Sequence, residues 1–251
     1  MNISKKIIAL SLGFYAFSTA YAEEVHVAVA ANFTAAMKDI AASFETKSEH
    51  KAVLSFGSSG KLLAQIKNGA PFEIFLSADQ AKPKALEEAN LVAKDSRFTY
   101  AIGALALWSA KDDFIDEDYS RLKNGDFNKL ALANPKLAPY GAAAVETLKV
   151  LKLEEATQAK WVQGENIAQT YQFVASGNAD LGFVALSQIM DKGHINRGSY
   201  WIVPSEDYSP IRQDAVLLAS AKDNQAAKEL IDYLQSDEAK SIIHSYGYKT
   251  E

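Results

Sequence analysis

Residues 25–44 read VHVAVAANFTAAMKDIAASF, and this stretch indicates the fold class. Its first six residues form a near-continuous apolar run, which is typical of a buried parallel strand. Apolar side chains then recur at helical spacing between Phe33 and Phe44. The stretch therefore predicts a strand, a turn and a helix, with Asn32 at or near the N-cap of the helix.

The same pattern of strand and helix recurs along the chain. Further strands are predicted at 52–56, 73–76, 101–108, 130–133, 181–184 and 215–219, and helices at 62–66, 83–89, 142–151, 167–176 and 226–234. Strands that alternate with helices favour an α/β architecture with mainly parallel sheets. Because the long strand at 101–108 resembles a crossover and the strand at 215–219 a return, we expect two α/β lobes.

The first 22 residues have the features of a secretory signal peptide. Lysines at positions 5 and 6 precede an apolar run over 7–17, and Ala20-Tyr21-Ala22 supplies the small residues of a cleavage site. The apolar run is too short to span a bilayer, which requires about 20 residues. We therefore expect cleavage after Ala22 and a mature secreted protein that runs from residue 23 to 251.

The composition of the mature chain excludes several kinds of partner and site. Two of the 26 basic residues and none of the 31 acidic ones lie in the signal, which leaves 24 against 31 and a formal charge of −7. Such a protein has no general attraction for nucleic acid or anionic lipid. The chain has no cysteine, which excludes disulfides, thiolate metal sites and a lipid anchor on an N-terminal cysteine. The four histidines are scattered singly, without metal-ligand spacing.

Two early strand-to-helix turns are candidates for binding an anion. Asn32 begins one predicted helix, and Ser58 and Ser59 begin the next, between two glycines. Free backbone N–H groups and the helix dipole converge at such positions, so an anion can bind there without a charged side chain. The alternative is that Asn32 and Ser59 only cap their helices. Both turns follow the carboxyl ends of predicted strands, where open α/β sheets bind ligands, and this observation keeps both interpretations open.

The order of short motifs along the mature chain resembles the molybdate-binding component of bacterial ABC transporters, the ModA family. The matching segments are AANF at 30–33, FGSSG at 56–60, NGAP at 68–71, FLSAD at 75–79, SRFTYAIG at 96–103, NP at 134–135, APYG at 138–141, ENI at 165–167 and ADLGFVAL at 179–186. Each motif is weak by itself, but together and in this order they are specific. The first motif places the chain close to the subgroup in which Asn replaces Ser in the first binding turn.

The resemblance implies a type II periplasmic binding protein. In this fold, two lobes, each a mainly parallel sheet flanked by helices, are joined by two hinge strands and close on a ligand in the cleft between them. The resemblance places the signal peptide at 1–22, lobe I at 23–101 and 211–251, and lobe II at 102–210.

The resemblance also implies an oxyanion site. The residues at the matching positions are Ala31, Asn32, Ser58, Ser59, Tyr140 and Ile167. Ile167 would contribute a backbone N–H group. A tyrosine that contacts the anion in one branch of the family corresponds to Ala185 here, so Tyr140 is expected to provide either its hydroxyl or only its main chain. Tyr140 as a packing residue is the alternative.

The function implied is that of a binding protein and not an enzyme. It would capture molybdate, and also tungstate, and deliver it as a monomer to an ABC permease with its ATPase. No cofactor and no direct bond from a side chain to the metal are expected. None of the matching positions is Asp or Glu, and a site made only of donors suits a fully deprotonated dianion, whereas protonated phosphate would require an acceptor.

Two alternatives remain beside this interpretation. Sulfate is also a dianion that only accepts hydrogen bonds, but it is smaller, so a sulfate-binding protein of the same fold is one alternative. A secreted serine hydrolase with Ser58 or Ser59 as nucleophile is a remote one, because GSSG departs from the G-x-S-x-G pattern. If the turns bind an anion, Ser59→Ala and Asn32→Ala are expected to weaken binding and to leave the thermal midpoint of the empty protein nearly unchanged.

Overall fold

The computed structural model describes residues 22–195 and 197–251, which form two five-stranded sheets flanked by helices and one small hairpin. The predicted signal peptide, apart from its last residue, lies outside the described residues. Within the described residues, none of the helices combines the length and apolar character that crossing a bilayer requires.

The strands and helices of the described residues are numbered in chain order. The strands are β1 (Glu24–Ala30), β2 (Lys51–Gly57), β3 (Ile74–Leu76), β4 (Phe98–Gly103), β5 (Leu105–Ser109), β6 (Leu130–Ala133), β7 (Trp161–Gly164), β8 (Leu181–Ala185), β9 (Met190–Asp191), β10 (His194–Ile195), β11 (Ser199–Ile202) and β12 (Ile211–Leu217). The helices are α1 (Thr34–Ser48), α2 (Ser59–Lys67), α3 (Ala81–Glu87), α4 (Ser120–Asn124), α5 (Pro139–Val150), α6 (Glu154–Gln158), α7 (Ile167–Ala175), α8 (Gln225–Tyr233) and α9 (Asp237–Ser245).

The two large sheets confirm the predicted two-lobed α/β fold. The first sheet has the strand order β2-β1-β3-β12-β4, and the second has the order β11-β5-β8-β6-β7. In the first sheet, β1 is parallel to β2 and β3, whereas β12 is antiparallel to β3 and β4. In the second sheet, β6 is parallel to β7 and β8, whereas β5 is antiparallel to β8 and β11.

Each sheet is therefore mixed, with two parallel and two antiparallel pairings, so the parallel pairing expected from the sequence accounts for half of each sheet. Parallel neighbours require a long crossover, which the flanking helices provide for β1, β2 and β3. The strands β4, β5, β11 and β12 instead carry the chain from one sheet to the other. They enter their sheets without such a crossover helix, so the parallel constraint does not apply to them.

The chain passes between the two sheets twice. The strand predicted at 101–108 is interrupted at Ala104, so that β4 ends in the first sheet and β5 begins in the second. The return lies between β11, which ends at Ile202, and β12, which begins at Ile211. The lobe boundaries expected after residues 101 and 210 thus fall inside β4 and at the start of β12.

Some elements begin at other residues than the apolar pattern indicates. Helix α5 begins at Pro139, three residues before its predicted start, because proline is well suited to the first turn of a helix. Strand β12 begins four residues before its predicted start because it includes Gln213 and Asp214, which are polar and yet buried. Strand β7, WVQG, was missed because it is short and contains a polar residue and a glycine.

The core of the first lobe contains the apolar side chains of the stretch at residues 25–44. Val25, Val27 and Val29 alternate along β1 and are fully buried on one face, as the two-residue period of a strand requires. Met37 and Ile40 of α1 belong to the same buried cluster. Complete burial of each such side chain contributes about 1.5–3 kcal/mol, so this packing fixes the turn between β1 and α1.

A buried carboxylate belongs to the returning strand β12. Asp214, which is 1% exposed, accepts hydrogen bonds from Thr99 Oγ1 at 2.7 Å, from Arg97 Nη1 at 2.8 Å and from Gln80 Nε2 at 3.1 Å. Arg97 Nε also donates to Glu87 Oε2 at 2.6 Å. Hydrogen bonds to Asp214 and then to Glu87 raise the pKa of Arg97 above its ordinary value. The guanidinium therefore balances a charge at the edge of the core.

We expect Arg97→Gln to lower the free energy of unfolding by about 2 kcal/mol, measured by urea denaturation at pH 7. Removing one partner of a buried ion pair typically costs about 3–5 kcal/mol, and water replaces part of this interaction because the Arg97 side chain is one-third exposed. Lys94→Gln is the control, since Lys94 contacts Asp95 only at 4.0 Å on the open surface. Equal stability of Arg97→Gln and the wild type would contradict this assignment.

Candidate functional site

A small pocket lies between the two sheets, where several chain turns converge. It is lined by residues 30–32 after β1, 57–59 at the start of α2, Ala78 after β3, 138–140 at the start of α5, and 166–167 at the start of α7. The space not filled by protein atoms is about 200 Å³, a figure that includes open solvent at the mouth of the pocket. Three helix N-termini and the turn after β1 therefore face one small volume, with contributions from both lobes.

All six residues expected from the sequence line this pocket. They are Ala31, Asn32, Ser58, Ser59, Tyr140 and Ile167. The lining also contains residues that the sequence did not single out, namely Ala30, Gly57, Ala78, Ala138, Pro139 and Asn166. All of these except Ala78 lie within two residues of an expected position. Ala78 belongs to the FLSAD segment, which sequence reasoning used only to establish the resemblance.

The second turn divides its two serines between two roles. Ser58 is the N-cap of α2, and its Oγ accepts the N–H of Lys61 at 3.4 Å. Ser59 is the first helical residue, and its buried Oγ accepts the N–H of Ala78 at 2.9 Å. Because the Ser59 hydroxyl acts as an acceptor there, its hydrogen is left for a ligand. The capping role proposed for Ser59 thus belongs to Ser58.

The first turn is a short 3-10 turn, Ala31–Phe33, that leads into α1. Asn32 lies in its middle, one residue before Phe33, the N-cap of α1, so its predicted position near the N-cap is confirmed. Neither the turn nor α1 has a side-chain capping bond, so the alternative that Asn32 caps the helix is wrong. Its Nδ2 donates to Gln213 Oε1 at 2.8 Å and to the Tyr248 hydroxyl at 2.9 Å. Both amide hydrogens are then used within the protein. The turn offers the pocket its main-chain N–H groups, which a first turn leaves without helical acceptors.

Tyr140 is the second residue of α5, and its hydroxyl lies where the chain crosses between the sheets. The hydroxyl accepts a hydrogen bond from Gln213 Nε2 at 3.3 Å. A methyl group at Gly103 would lie 2.0 Å from this oxygen, so Gly103 provides the space that it occupies. Burial raises the pKa of Tyr140 well above its ordinary value. The main-chain N–H of Tyr140, in the first turn of α5, remains without a helical acceptor.

Helix α7 begins at Ile167, as the sequence predicted. Asn166 caps the helix, since its Oδ1 accepts the N–H of Gln169 at 3.0 Å. Ile167 is the first helical residue, is 3% exposed and lines the pocket. Its N–H group belongs to the set that has no acceptor within the helix.

The electrostatics of the pocket come from dipoles rather than from charged side chains. Among the residues that line it, Tyr140 alone carries an ionisable side chain. The N-termini of α2, α5 and α7 each present the positive end of a helix dipole, equivalent to roughly half an elementary charge. This arrangement can hold an anion, whereas a cation would find no carboxylate in the lining.

Two contacts join the lobes beside the pocket. The N–H of Gly60 donates to the carbonyl oxygen of Leu137 at 2.9 Å, and Lys61 Nζ lies 2.8 Å from Glu165 Oε1. A Cβ atom at position 60 would lie 3.1 Å from the Leu137 backbone, so the glycine permits the close approach. The lobes therefore touch across the cleft, with the pocket between these contacts and the hinge.

Comparison with known proteins identifies relatives over nearly the whole chain. Residues 25–249 match the family described as bacterial extracellular solute-binding protein. The chain is 53% identical over 247 residues to the molybdate-binding protein ModA of Azotobacter vinelandii, with 98% of each chain covered. It is 48% identical over 232 residues to the molybdate-binding protein ModA of Rhodobacter capsulatus, with 92% of this chain and 90% of that protein covered.

A solved structure shows the same architecture. The periplasmic molybdate-binding protein of Azotobacter vinelandii superposes with a TM-score of 0.88 at 38% sequence identity, and the match covers 90% of this chain and 99% of that one.

We expect Asn32→Ala to lower the thermal midpoint of the empty protein by several degrees, contrary to the expectation from the sequence. The substitution removes the amide donor to the buried Tyr248 oxygen and one of the two donors to Gln213 Oε1, which the Tyr100 hydroxyl also serves. An unsatisfied buried group costs about 1–3 kcal/mol. In a chain of this size, 1 kcal/mol shifts the midpoint by about 2–4 °C. Calorimetry without added anion measures the shift. Lys61→Ala, at an exposed ion pair, is the control, and an unchanged midpoint for Asn32→Ala would show that its amide bonds contribute nothing.

Proposed function

Because the chain belongs to the family of bacterial extracellular solute-binding proteins, we propose that it binds molybdate in the periplasm and delivers it to an ABC importer. One structural observation supports this proposal independently of the relatives. The pocket between the lobes is lined with hydrogen-bond donors from three helix N-termini and one turn, and no carboxylate is among its lining residues.

We assign a set of hydrogen-bond donors to the bound anion. It consists of the Ser59 hydroxyl and the main-chain N–H groups of Ala31, Asn32, Ser59, Tyr140 and Ile167. In this assignment Ser58 caps α2 and does not contact the anion. The Tyr140 hydroxyl bonds to Gln213 at the hinge instead of to the anion. Hydrogen bonds to a charged group contribute about 1.5–3 kcal/mol each. Six of them exceed the roughly −8 kcal/mol of micromolar affinity by enough to offset desolvation and lobe closure.

The same donor set discriminates between anions. A fully deprotonated tetrahedral dianion presents only acceptors, so every donor of this set finds a partner. Phosphate retains a proton for part of the time at neutral pH, and that proton would face N–H groups without an acceptor. Sulfate has the right charge but is smaller, and the contact of Gly60 with Leu137 limits how far the lobes can close on it. Tungstate resembles molybdate in shape and charge, and we propose it as a second ligand.

The proposed partners follow from the role of an importer component. We propose that an inner-membrane permease with its ATPase receives the anion, that the protein acts as a monomer, and that residues 1–22 direct it to the periplasm. The relatives are binding proteins, and the chain is not an enzyme. The hydrolase alternative is not favoured, because the Ser59 hydroxyl pairs with the N–H of Ala78 and not with a general base.

Titration calorimetry with molybdate, tungstate, sulfate and phosphate tests the proposal. We expect molybdate to bind below micromolar Kd, and Ser59→Ala to weaken it by about 10- to 100-fold through loss of one charge-assisted hydrogen bond. Ser96→Ala is the matched control, since its hydroxyl donates to Ala93 O and Ser96 does not line the pocket. If only sulfate or phosphate binds tightly, the assignment of molybdate as the ligand is wrong.

The affinity for molybdate should stay constant between about pH 6.5 and pH 9. Tyr140 is the one ionisable residue of the lining, and its raised pKa keeps it neutral throughout this range. A group whose pKa lies above the range neither gains nor loses a proton within it, so binding releases none. Calorimetry in buffers of different ionisation enthalpy checks both points. A change in affinity centred near pH 7 would reveal a titrating group in the site.

A further inference from the structure

A tyrosine near the end of the chain reaches into the region between the lobes. Tyr248 is 4% exposed, and its ring packs edge-on against Phe33 with centroids 5.3 Å apart. The next residue, Lys249, forms two backbone hydrogen bonds with Ile102 of β4, at 2.7 and 3.0 Å. These contacts attach the C-terminal segment to the first lobe, beside the first crossing of the chain.

The Tyr248 hydroxyl belongs to a small buried ring of hydrogen bonds. It accepts from Asn32 Nδ2 at 2.9 Å and donates to Ser187 Oγ at 2.8 Å. The Ser187 hydroxyl in turn donates to the main-chain oxygen of Asn32 at 3.0 Å. The Tyr248 hydroxyl also lies 2.9 Å from that oxygen, but it has a single hydrogen. The arrangement that satisfies all three residues is a closed cycle from Asn32 to Tyr248 to Ser187 and back.

This ring joins the two lobes at the first binding turn. Asn32 follows β1 of the first sheet, whereas Ser187 lies in the 3-10 turn after β8 of the second sheet. Asn32 lines the pocket, and Tyr248 does not. The ring thus binds both the side-chain amide and the main-chain carbonyl of Asn32, a pocket residue. Its third member, Ser187, belongs to the second lobe.

We propose that Tyr248 is a positioning residue for anion capture, whose hydroxyl ties the first binding turn to the second lobe in the ligand-holding state. The inference rests on the proposed function. When the lobes separate, Ser187 moves away from Asn32 and water takes its place, so the ring stabilises the closed state more than the open one. Burial, opposed by hydrogen bonds with Ser187 and Asn32, raises the pKa of Tyr248 to about 12, so the hydroxyl remains a donor at neutral pH.

Tyr248→Phe tests this role because it removes the hydroxyl oxygen and leaves the aromatic side chain packed on Phe33. Tyr246→Phe is the matched control, because its hydroxyl donates to Asp39 Oδ2 at 2.7 Å in the same segment and does not line the pocket. Stopped-flow fluorescence with sodium molybdate gives both rate constants. We expect Tyr248→Phe to increase the dissociation rate about tenfold, with the association rate changed less than twofold. Tyr246→Phe should leave both rates at wild-type values.

Ser187→Ala breaks the same ring from the other lobe and provides a second variant if Tyr248→Phe folds poorly. It should increase the dissociation rate to a similar extent. The double variant should dissociate little faster than either single variant, because both substitutions remove one shared network. A role confined to general stability would lower the midpoints of Tyr246→Phe and Tyr248→Phe alike and would leave dissociation unaltered.

The outcomes separate this inference from the proposed function. If the wild type binds molybdate tightly and Tyr248→Phe releases it at the wild-type rate, the positioning role is wrong and the function stands. If Tyr248→Phe and Ser187→Ala increase the rate independently, so that their effects multiply, the ring is not one unit and the inference is overturned. If the wild type fails to bind molybdate, the proposed function itself fails.

Discussion

A buried dianion without a neighbouring cation can be held only if many N–H and O–H groups point at it together. Removing such a charge from water is costly, and isolated donors do not compensate for it. Each helix N-terminus supplies only a few N–H groups without helical acceptors and part of a dipole charge. The pocket therefore requires several helix starts, and here it takes them from both sheets, at the beginnings of α2, α5 and α7 and at the turn after β1. The two crossings of the chain make this convergence possible.

The side chains around the pocket serve mainly to direct the backbone. Ser58 and Asn166 satisfy N–H groups deeper in their helices, which leaves the first N–H groups to face the cleft. Gly60 lets the lobes approach, and Gly103 gives room to the Tyr140 hydroxyl. Gln213 connects Asn32 in one lobe with Tyr140 in the other. The selectivity proposed for the site thus depends on how rigidly these contacts hold the main chain.

Local sequence patterns predicted the parts of the site that depend on local structure. A strand, a turn and a helix can be recognised within twenty residues, so the helix starts near Ser59 and at Ile167 could be predicted, whereas the place of Ile167 in the pocket was implied only by the family resemblance. The role of Asn32 could not, because its partners Gln213 and Tyr248 lie 181 and 216 residues away. The same limit explains the antiparallel strands, whose direction follows from the crossings. Buried polar residues such as Asp214 also interrupt the apolar pattern by which strands are recognised.

The central claim is that neutral donors from both lobes surround a bare oxyanion. A crystal structure of the protein with molybdate, with the metal located by its anomalous scattering, measures this directly. We expect the molybdenum peak between the N-termini of α2, α5 and α7, with the oxygens of the anion about 3 Å from the N–H groups of Ser59, Tyr140 and Ile167. A peak beside a lysine or arginine, or an empty pocket with the anion bound elsewhere, would contradict it.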